Sequence, residues 1–349
     1  MSSASATGTP SGGAATGPAP RRPWRTGPAG RPAGPAQGAG RAGRARRGPA
    51  WGAFLLLTLP MVAGLFVFKY VAIGWGLLLS FNEARGTISL GAWNGLENYR
   101  RLLADPAFTR SLVTIVVFTL IIVPVTFAFA LGLAVLVNRL RGGRAFFRTT
   151  FFIPAAVSYV VGALVWKMSL FSGTPSGVAN SLAYLLGYEE SIGWVATVDP
   201  PLYWIVLVTV RLWLQTGFYM ILFLAGIQQI PAQLYEAARV DGAESGWRLF
   251  RHITWPMLRN TSVAVTLLLI INAFQAFDEF YNILASNLSG LGGADGRTPL
   301  IYLFQTALGE QNYGAGSAGA FVVTLLIVAF TLLQGRLAGF GRTAEEEAR

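Results

Sequence analysis

Six long apolar segments, separated by polar stretches, make up most of the chain. A helix needs roughly 20 apolar residues to cross the ~30 Å hydrocarbon core of a bilayer, and each segment is close to that length or longer. The second and the sixth contain no charged residue. The pattern therefore predicts an all-α integral membrane protein with six transmembrane helices. The predicted spans are about 52–79, 111–137, 149–170, 202–228, 262–284 and 318–335.

The composition agrees with this prediction. Of the 349 residues, 53% are hydrophobic and 12% are charged, whereas a soluble domain usually carries about 25% charged residues. The formal net charge of +11 arises mostly in residues 1–50, which hold eight arginines and no acidic residue. The remainder has 19 basic and 16 acidic residues, a net charge of +3. Because the excess charge is confined to a tail, no nucleic-acid partner is expected.

The chain divides into three regions. Residues 1–50 consist almost entirely of Gly, Ala, Pro, Ser, Thr and Arg, and such a segment buries too little apolar area to offset the entropy lost on ordering. We expect residues 1–50 to form a disordered cytoplasmic tail and residues 51–340 to form the transmembrane domain. Residues 341–349 are expected to be a short cytoplasmic C-terminal tail.

The arginines predict the orientation of the chain. Cytoplasmic segments of membrane proteins carry an excess of Lys and Arg. With the N-terminal tail inside, the cytoplasmic segments hold 19 arginines and the outer loops hold five. Without the tail the ratio is still 11 to five. We therefore predict a multi-pass protein of a bacterial-type plasma membrane with both termini in the cytoplasm.

The usual parts of a catalytic or nucleotide-binding site are missing from the sequence. There is no cysteine and only one histidine, His252, which excludes thiolate catalysis and a pair of zinc-binding histidines. The two lysines, Lys69 and Lys167, do not follow glycine, so there is no phosphate-binding Gly-Lys-Ser/Thr loop. We expect no enzyme activity, bound cofactor or metal. A membrane enzyme that uses only carboxylates, at Asp278 and Glu279, stays open as a minor alternative.

The loop 231–260, between the fourth and fifth spans, has a distinctive helical pattern. Pro231 suits the first turn of a helix, and Gly242 permits a chain reversal that other residues resist. A second short helix is expected near Glu244–His252, stopping before Pro256. Two short helices that project from the membrane would form a rigid lever. The alternative is an ordinary amphipathic loop lying on the lipid surface.

This loop resembles the E-A-A…G…I…P motif of binding-protein-dependent ABC importer permeases. The spacing of the motif is intact, and the motif lies on the loop where that family carries it. The resemblance implies that the loop docks into a groove of a separate ATPase subunit and that ATP is used only by that partner. It also implies that five residues couple the ATPase to the membrane spans. The implied coupling residues are Glu236, Ala237, Ala238, Asp241 and Gly242.

Three further stretches resemble carbohydrate permeases of the maltose and glycerol-phosphate type. They are Gly95–Phe108, the segment from Ile153 to Asn180, and the pattern Phe277-Asp278-x-x-Tyr281. One departure is that the usual Gly-Gly-Pro after the fifth span is replaced by Gly-Gly-Ala at 292–294. The resemblance implies sugar or polyol import by a type I, maltose-transporter-like bundle. It also implies a heterodimer with a second permease, two cytoplasmic ATPase subunits and an extracytoplasmic solute-binding protein.

Polar side chains recur along the fifth span, where they are costly to bury and so suggest a function. Asn272, Gln275, Glu279 and Asn282 follow spacings of 3, 4 and 3, which places them on one helical face. Asp278 and aromatic residues adjoin that face. We predict that it lines a water-filled path for a hydroxyl-rich solute; the alternative is hydrogen bonding between helices. The predicted path residues are Asn272, Gln275, Asp278, Tyr281 and Asn282.

Three other charged residues fall within predicted spans. Arg211 is expected to extend toward the outer surface, although a buried partner is an alternative. Lys167, together with Trp166, is expected to anchor the outer end of the third span. Lys69 receives no functional interpretation from the sequence.

Other functions stay open at the level of sequence. Within the importer class, the cargo could be an amino acid or a phosphate ester, since no single residue excludes either. An ion-coupled secondary transporter using Asp278, Glu279 or Lys69 is a less favoured alternative. It would leave the Glu-Ala-Ala loop unexplained and would transport solute without an ATPase.

Overall fold

A computed structural model of the protein describes residues 50–197, 199–242, 246–284 and 296–337. The tails predicted at 1–50 and 341–349 lie outside the described residues except for Ala50, as does the Gly-Gly-Ala sequence at 292–294. The described residues fall into two units that divide between Pro60 and Met61. The described part of the first unit, 50–60, is entirely helical.

The described residues are mostly helical, and they form fifteen α-helices joined in places by π-helical or 3₁₀ stretches. The first span contains α1 (Ala50–Leu65) and α2 (Ala72–Ser80), joined by the π-helical stretch Phe66–Val71. The remaining helices are α3 (Glu97–Ala104), α4 (Pro106–Arg139), α5 (Arg144–Phe152), α6 (Tyr159–Val165), α7 (Val178–Leu185), α8 (Tyr203–Gln228), α9 (Ala232–Val240), α10 (Gly246–Leu249), α11 (Trp255–Met257), α12 (Arg259–Phe274), α13 (Asp278–Leu284), α14 (Pro299–Phe304) and α15 (Tyr313–Leu337).

Six spans were predicted, and the described helices supply six if one bent pair is counted as a span. Five stretches are long and apolar enough to cross a membrane. They are Phe54–Ser80, Pro106–Arg139, Tyr203–Gln228, Arg259–Leu284 and Tyr313–Arg336. The sixth consists of Arg144–Ala156 and Tyr159–Leu170, which meet at an angle of 93°.

The third predicted span, 149–170, is therefore bent rather than one straight helix. The chain leaves α5 through a 3₁₀ turn at Ile153–Ala156 and becomes extended at Val157 and Ser158. The Ser158 hydroxyl then caps α6 by accepting a hydrogen bond from the Val160 amide at 3.3 Å. Pro154 lies in that turn and cannot donate a backbone hydrogen bond, so the helix breaks where its sequence is still apolar.

The core of the second unit forms where α4 and α8 pack along each other, with α6, α12, α13 and α15 around them. Large side chains from these helices are fully buried, among them Phe118, Phe223 and Phe280. The rings of Phe118 and Phe280 meet edge to face with centroids 4.9 Å apart. This packing joins the second span to α13, at the far end of the fifth.

Buried asparagines fix the loops that resemble the carbohydrate permeases. Asn98 donates to the carbonyl oxygens of Ser80 and Asn82, at 2.9 Å in each case, and so holds α3 against the end of the first span. Asn180 is fully buried and accepts hydrogen bonds from the Ile192 amide at 3.1 Å and the Trp194 indole at 2.9 Å. The resemblance in these stretches therefore includes residues with a structural role.

Asp105 joins α4 to α14. Its Oδ1 accepts the amide of Ala107 at 2.8 Å and caps α4, and its Oδ2 accepts the hydroxyl of Tyr302 at 2.5 Å. Burial and the hydrogen bond to Asp105 raise the pKa of Tyr302 to about 12. The phenol therefore stays neutral and keeps donating this hydrogen bond at physiological pH.

Helix α8 approaches the end of α5 most closely at Gly217. A Cβ atom at this position would lie 1.8 Å from the carbonyl oxygen of Phe151. Small residues allow the backbones of membrane helices to come this close. The bent third span is thus seated directly on the backbone of α8.

The variant Gly217→Ala is expected to melt at a lower temperature than the wild type, because an added methyl group must push α8 and Phe151 apart. Overpacking of this kind typically costs about 1–3 kcal/mol. The measurement is thermal unfolding of the purified chain in detergent, followed by tryptophan fluorescence. The control is Gly74→Ala in α2, where no atom lies within 4 Å of the added Cβ. Equal melting temperatures for the two variants would contradict the proposed close contact.

Candidate functional site

Helix α9 carries the Glu-Ala-Ala sequence and ends in a sharp turn. It begins after Pro231, whose backbone is extended, with φ −58° and ψ 133°. At its other end the amide of Asp241 donates to the carbonyl of Ala237 at 3.0 Å. Gly242 then adopts φ +85°, which a residue with a Cβ adopts only at a cost. The predicted helix and chain reversal are both confirmed.

The five predicted coupling residues lie together at the accessible end of this segment. Glu236, Ala237, Asp241 and Gly242 are exposed, and Ala238 is half-buried. The apolar side chain of Val240 is 87% exposed. A short helix with small residues, one carboxylate and uncovered apolar surface can fit into a groove of another protein.

The second helical part of the loop differs from the prediction. Helix α10, the π-helical stretch Phe250–Thr254 and α11 follow one another directly, so helical structure continues through Pro256. The prediction that it would stop before Pro256 was wrong. Pro256 is the second residue of α11, and a proline is tolerated in the first turn of a helix. Residue Glu244, where this helix was expected to start, lies outside the described residues.

Two hydrogen bonds hold the loop in place, one within the loop and one to the end of α4. The hydroxyl groups of Tyr235 and Thr254 lie 3.0 Å apart and join α9 to the π-helical stretch. The guanidinium of Arg139, at the end of α4, donates to the carbonyl of Gly246 at 3.4 Å. Between these contacts lies a cavity of about 360 Å³, which Glu236 and Arg239 also line. The loop is therefore braced on both its helical parts.

A buried ion pair lies deeper in the protein, between α8 and α13. Arg211 and Glu279 form a salt bridge, and their side chains are 4% and 1% exposed. Isolated charges are very costly to bury, whereas a paired and hydrogen-bonded charge is tolerated. Sequence analysis placed Arg211 toward the outer surface and weighed a buried partner only as an alternative; the first interpretation was wrong.

Further polar contacts surround this pair. Nη2 of Arg211 donates to the backbone oxygen of Asn272 at 2.7 Å and to its side-chain oxygen at 2.5 Å. Nε of Arg211 donates to Gln215 at 3.2 Å, and Gln215 donates to Thr126 at 3.0 Å. The guanidinium also lies 4.9 Å from the ring centroid of Tyr159. One arginine thus contacts residues of α6, α8, α12 and α13.

The polar stripe of the fifth span is not one helical face, because the helix is interrupted. Helix α12 ends at Phe274 and α13 begins at Asp278. The prediction of a single face over 272–282 was therefore wrong. Arg211 contacts both sides of the interruption. It satisfies a carbonyl in the last turn of α12, and it pairs with Glu279 in the first turn of α13, as the dipoles of the two helix ends favour.

The predicted path residues separate into two groups around this interruption. Asn272 is exposed, but its side-chain oxygen accepts a hydrogen bond from Arg211. Gln275 and Asp278 are also exposed and are not part of the salt bridge between Arg211 and Glu279. Tyr281 and Asn282 are half-buried. The ring of Tyr281 stacks on Phe277 at 5.3 Å with an interplanar angle of 11°. An exposed amide, an exposed carboxylate and a stacked aromatic pair thus lie within two turns of chain.

The remaining intramembrane residues also have defined positions. Lys167 is half-buried and donates to the carbonyl of Asn282 at 3.2 Å. Trp166 is only 8% exposed and donates to Thr209 at 3.1 Å, so its predicted role as an interface anchor was wrong. Lys69 is exposed within the π-helical part of the first span.

The sequence signal for the ion pair was present, although the prediction missed it. Span four contains one charged residue, Arg211, and span five contains two of the opposite sign, Asp278 and Glu279. Opposite charges in neighbouring spans commonly pair within the membrane. Tyr159 and Thr126 gave no comparable signal, because aromatic and hydroxyl side chains are frequent in all the spans.

The sequence and fold are similar to known transport proteins. Residues 130–339 match the family described as "Binding-protein-dependent transport system inner membrane component". A probable ABC transporter permease protein of Pyrococcus horikoshii is 31% identical over 82% of this chain and 96% of its own length. The lactose transport system permease protein LacF of Rhizobium radiobacter is 32% identical over 80% of this chain and 91% of its own.

A solved structure has a similar fold. It belongs to a bacterial ABC transporter involved in the import of the acidic polysaccharide alginate. The similar chain has a TM-score of 0.71 and 20% sequence identity, and the match covers 82% of this chain and 95% of that one. At this level of identity the similarity concerns the fold.

The variant Glu279→Ala is expected to destabilise the protein strongly, because it leaves the charge of Arg211 buried without its carboxylate. Breaking a buried pair in this way typically costs about 3–5 kcal/mol. The double variant Arg211→Met with Glu279→Met is expected to regain most of that loss, since no unpaired charge stays behind. The measurement is a double-mutant cycle of melting temperatures in detergent.

The control for this cycle is Asp278→Ala, which removes the adjacent carboxylate. Asp278 is exposed, whereas Glu279 is buried, so the control should melt within a few degrees of the wild type. A double variant that is less stable than Glu279→Ala would contradict the assignment of the loss to an unpaired charge.

Proposed function

The chain belongs to the family of binding-protein-dependent transport system inner membrane components, and on that premise we propose that it forms half of the translocation path for a sugar or a related polyol. It is a permease subunit of an ABC importer. The observation that carries the mechanism is the exposed segment around Glu236, which is braced against the protein but uncovered at its tip. The cargo proposal is supported by relatives such as the lactose permease LacF.

The proposed partners follow from the same premise. A second permease would complete the path as a heterodimer. Two cytoplasmic ATPase subunits would each bind one coupling segment, which in this chain is α9 with the turn after it, residues 232–242. An extracytoplasmic binding protein would deliver the solute. We place the chain in a bacterial-type plasma membrane with both termini and the coupling segment on the cytoplasmic side, in agreement with the arginine distribution. The chain itself would bind no nucleotide and catalyse no bond chemistry.

The structure suggests a route by which a pull on the coupling segment reaches the membrane spans. Helices α10 and α11 and the stretch between them continue into α12 with only a small break at Leu258, where φ is −80° and ψ is 2°. The amide of Leu258 still donates to Thr254 at 3.0 Å, and Ser262 donates to Leu258 at 2.7 Å. A displacement at the cytoplasmic end would therefore be transmitted along α12 to its far end, where Arg211 is bound.

We further propose that Gln275, Asp278 and Tyr281 contact the solute. An amide and a carboxylate can hydrogen-bond hydroxyl groups, and an aromatic pair offers apolar faces for the C–H surface of a sugar. Asn272 and Asn282 would border the path, since each also hydrogen-bonds within the protein. A phosphate ester or an amino acid is the alternative cargo. An ion-coupled mechanism would leave the uncovered coupling helix without a role.

The variants Glu236→Ala and Gly242→Val are expected to abolish ATP-dependent uptake and to release or uncouple the ATPase subunits. The first removes the exposed carboxylate, and the second forces a left-handed backbone conformation that costs about 1–2 kcal/mol for a residue with a Cβ. The measurements are uptake in membrane vesicles and the amount of ATPase that co-purifies with the tagged chain.

Two controls separate coupling from general damage. Glu189→Ala removes another exposed carboxylate, and Gly187→Val imposes the same kind of strain, since Gly187 is exposed with φ +93°. Both lie in predicted outer loops and should leave ATPase retention unchanged. Normal uptake by both Glu236→Ala and Gly242→Val would overturn the assignment.

The variants Gln275→Ala and Asp278→Ala are expected to reduce uptake while assembly and basal ATPase activity stay intact. Loss of one hydrogen bond of about 1 kcal/mol corresponds to roughly a fivefold weaker interaction with the solute. The measurement is uptake against solute concentration, beside ATPase activity without solute. The control Asn260→Ala removes an exposed amide at the opposite end of α12. Wild-type uptake by both path variants would remove these residues from the proposed path.

A further inference from the structure

A groove on the surface of the second unit lies beside the coupling segment and takes no part in the proposed transport path. Its volume is about 610 Å³. The second half of α4 forms its floor, where Ala128, Gly132 and Leu136 leave an open apolar channel. Its wall is the chain from Trp247 to Trp255. We name it the α4 groove.

The length of the α4 groove matches one leaflet of a membrane. Its lining residues on α4 extend from Phe127 to Arg139, twelve helical steps that amount to ~18 Å. Half of a ~30 Å hydrocarbon core is ~15 Å. A molecule that fills the groove would therefore extend from the membrane surface to about its midplane.

The charge in the α4 groove is concentrated at one end. Arg139 from α4 and Arg251 from the opposite wall both line it, and both are exposed. No carboxylate lines the groove within the described part of the chain. Four arginines near the end of α4, at 139, 141, 144 and 148, are on the predicted cytoplasmic side. The groove is thus apolar along its length and cationic at its cytoplasmic mouth.

Aromatic rings form a continuous wall along the groove. Trp247 stacks on Phe250 at 5.6 Å, Phe250 lies 6.3 Å from Trp255, and Trp255 meets Phe127 edge to face at 6.2 Å. Trp247 and Trp255 are 67% and 44% exposed. Trp247 follows Gly246, whose carbonyl accepts the hydrogen bond from Arg139, so Trp247 lies toward the cationic end, at the headgroup level that amphipathic tryptophan rings prefer.

We propose that the α4 groove binds one anionic phospholipid of the cytoplasmic leaflet, with its phosphate between Arg139 and Arg251 and an acyl chain along Gly132. The groove is apolar along its length and cationic at its mouth, which matches the acyl chains and the anionic headgroup of a lipid. Basic pockets between helices on the cytoplasmic side bind such headgroups. An apolar helix of a partner protein is disfavoured in this groove, because it would bury the guanidinium groups of Arg139 and Arg251 without a counter-charge. The proposal rests on the proposed function only for the cytoplasmic orientation.

The consequence concerns the coupling segment. A bound lipid would contact α4 and the wall from Trp247 to Trp255 at the same time. That wall is part of the helical connection from the coupling loop to α12. The lipid would therefore brace the same connection that the ATPase moves, and coupling would depend on the anionic lipid content of the membrane.

The test counts lipids on the purified full-length chain and whatever subunits accompany it. The protein in detergent is titrated with phosphatidylglycerol or with phosphatidylcholine, and bound lipid is counted by native mass spectrometry. The wild type is expected to retain one phosphatidylglycerol in preference to phosphatidylcholine. The double variant Arg139→Gln with Arg251→Gln is expected to lose this preference by roughly 30-fold, or about fivefold for each arginine.

Two matched variants make the test specific. Arg141→Gln with Arg148→Gln removes two exposed arginines that do not line the groove, so it should keep the preference. Gly132→Leu fills the floor without changing charge, because no atom lies within 4 Å of a Cβ there, and it should lose the bound lipid.

Three outcomes would overturn the proposal. One is equal retention of the two lipids by the wild type, and another is an equal loss in both double arginine variants. The third is efficient cross-linking of Gly132→Cys to a second protein chain, which would identify a protein as the occupant. Lipid counting needs no transport or ATPase activity, so failure of the proposed function would be seen separately, as an absence of co-purified ATPase.

Discussion

The salt bridge between Arg211 and Glu279 holds together the part of the protein where the fifth span is interrupted. An interruption inside a membrane leaves backbone carbonyl groups without helical partners, and these are costly to expose to lipid. Arg211 satisfies a carbonyl of α12 and neutralises Glu279 of α13. The broken helix is tolerated because one buried side chain serves both of its ends. The exposed polar residues Gln275 and Asp278 are positioned by that break.

Helix α9 contacts one end of the helical connection from α10 to α12, and the interruption of the fifth span lies at the other end. The end near α9 is held by the contacts of Tyr235 with Thr254 and of Arg139 with Gly246, and the other end contacts Arg211. Because packed side chains resist local deformation, a displacement at one end of this helical connection would also move the other end. This arrangement connects the exposed helix α9 to the residues proposed to contact solute. Such a connection is mechanical and needs neither proton transfer nor a nucleophile in this chain.

Two kinds of motif in the sequence have different physical meanings. In the Glu-Ala-Ala sequence Glu236 and Ala237 are exposed, and nothing within the chain accounts for the motif, so we proposed that another protein binds there. The stretches around Asn98 and Asn180, in contrast, are explained within the chain, because both side chains are buried and bind loop backbone. A resemblance in the first kind of motif indicates a partner, whereas a resemblance in the second indicates a shared loop structure. The identity of the cargo follows directly from neither kind.

The sequence by itself determined the six apolar spans, the helix at α9 and the turn at Gly242, because hydropathy and the freedom of glycine are local properties. Only the tertiary structure decided that the third span bends by 93°, that the polar stripe is broken, and that Arg211 turns inward. These features depend on contacts between residues far apart in the chain, such as Gly217 with Phe151 and Arg211 with Glu279. Pro154 marks the break in the third span, and Arg211 and Glu279 mark opposite charges in two spans. Periodicity along one segment contains no information about the partner on another, so the angle of the bend and the pairing of the charges were decided by tertiary contacts.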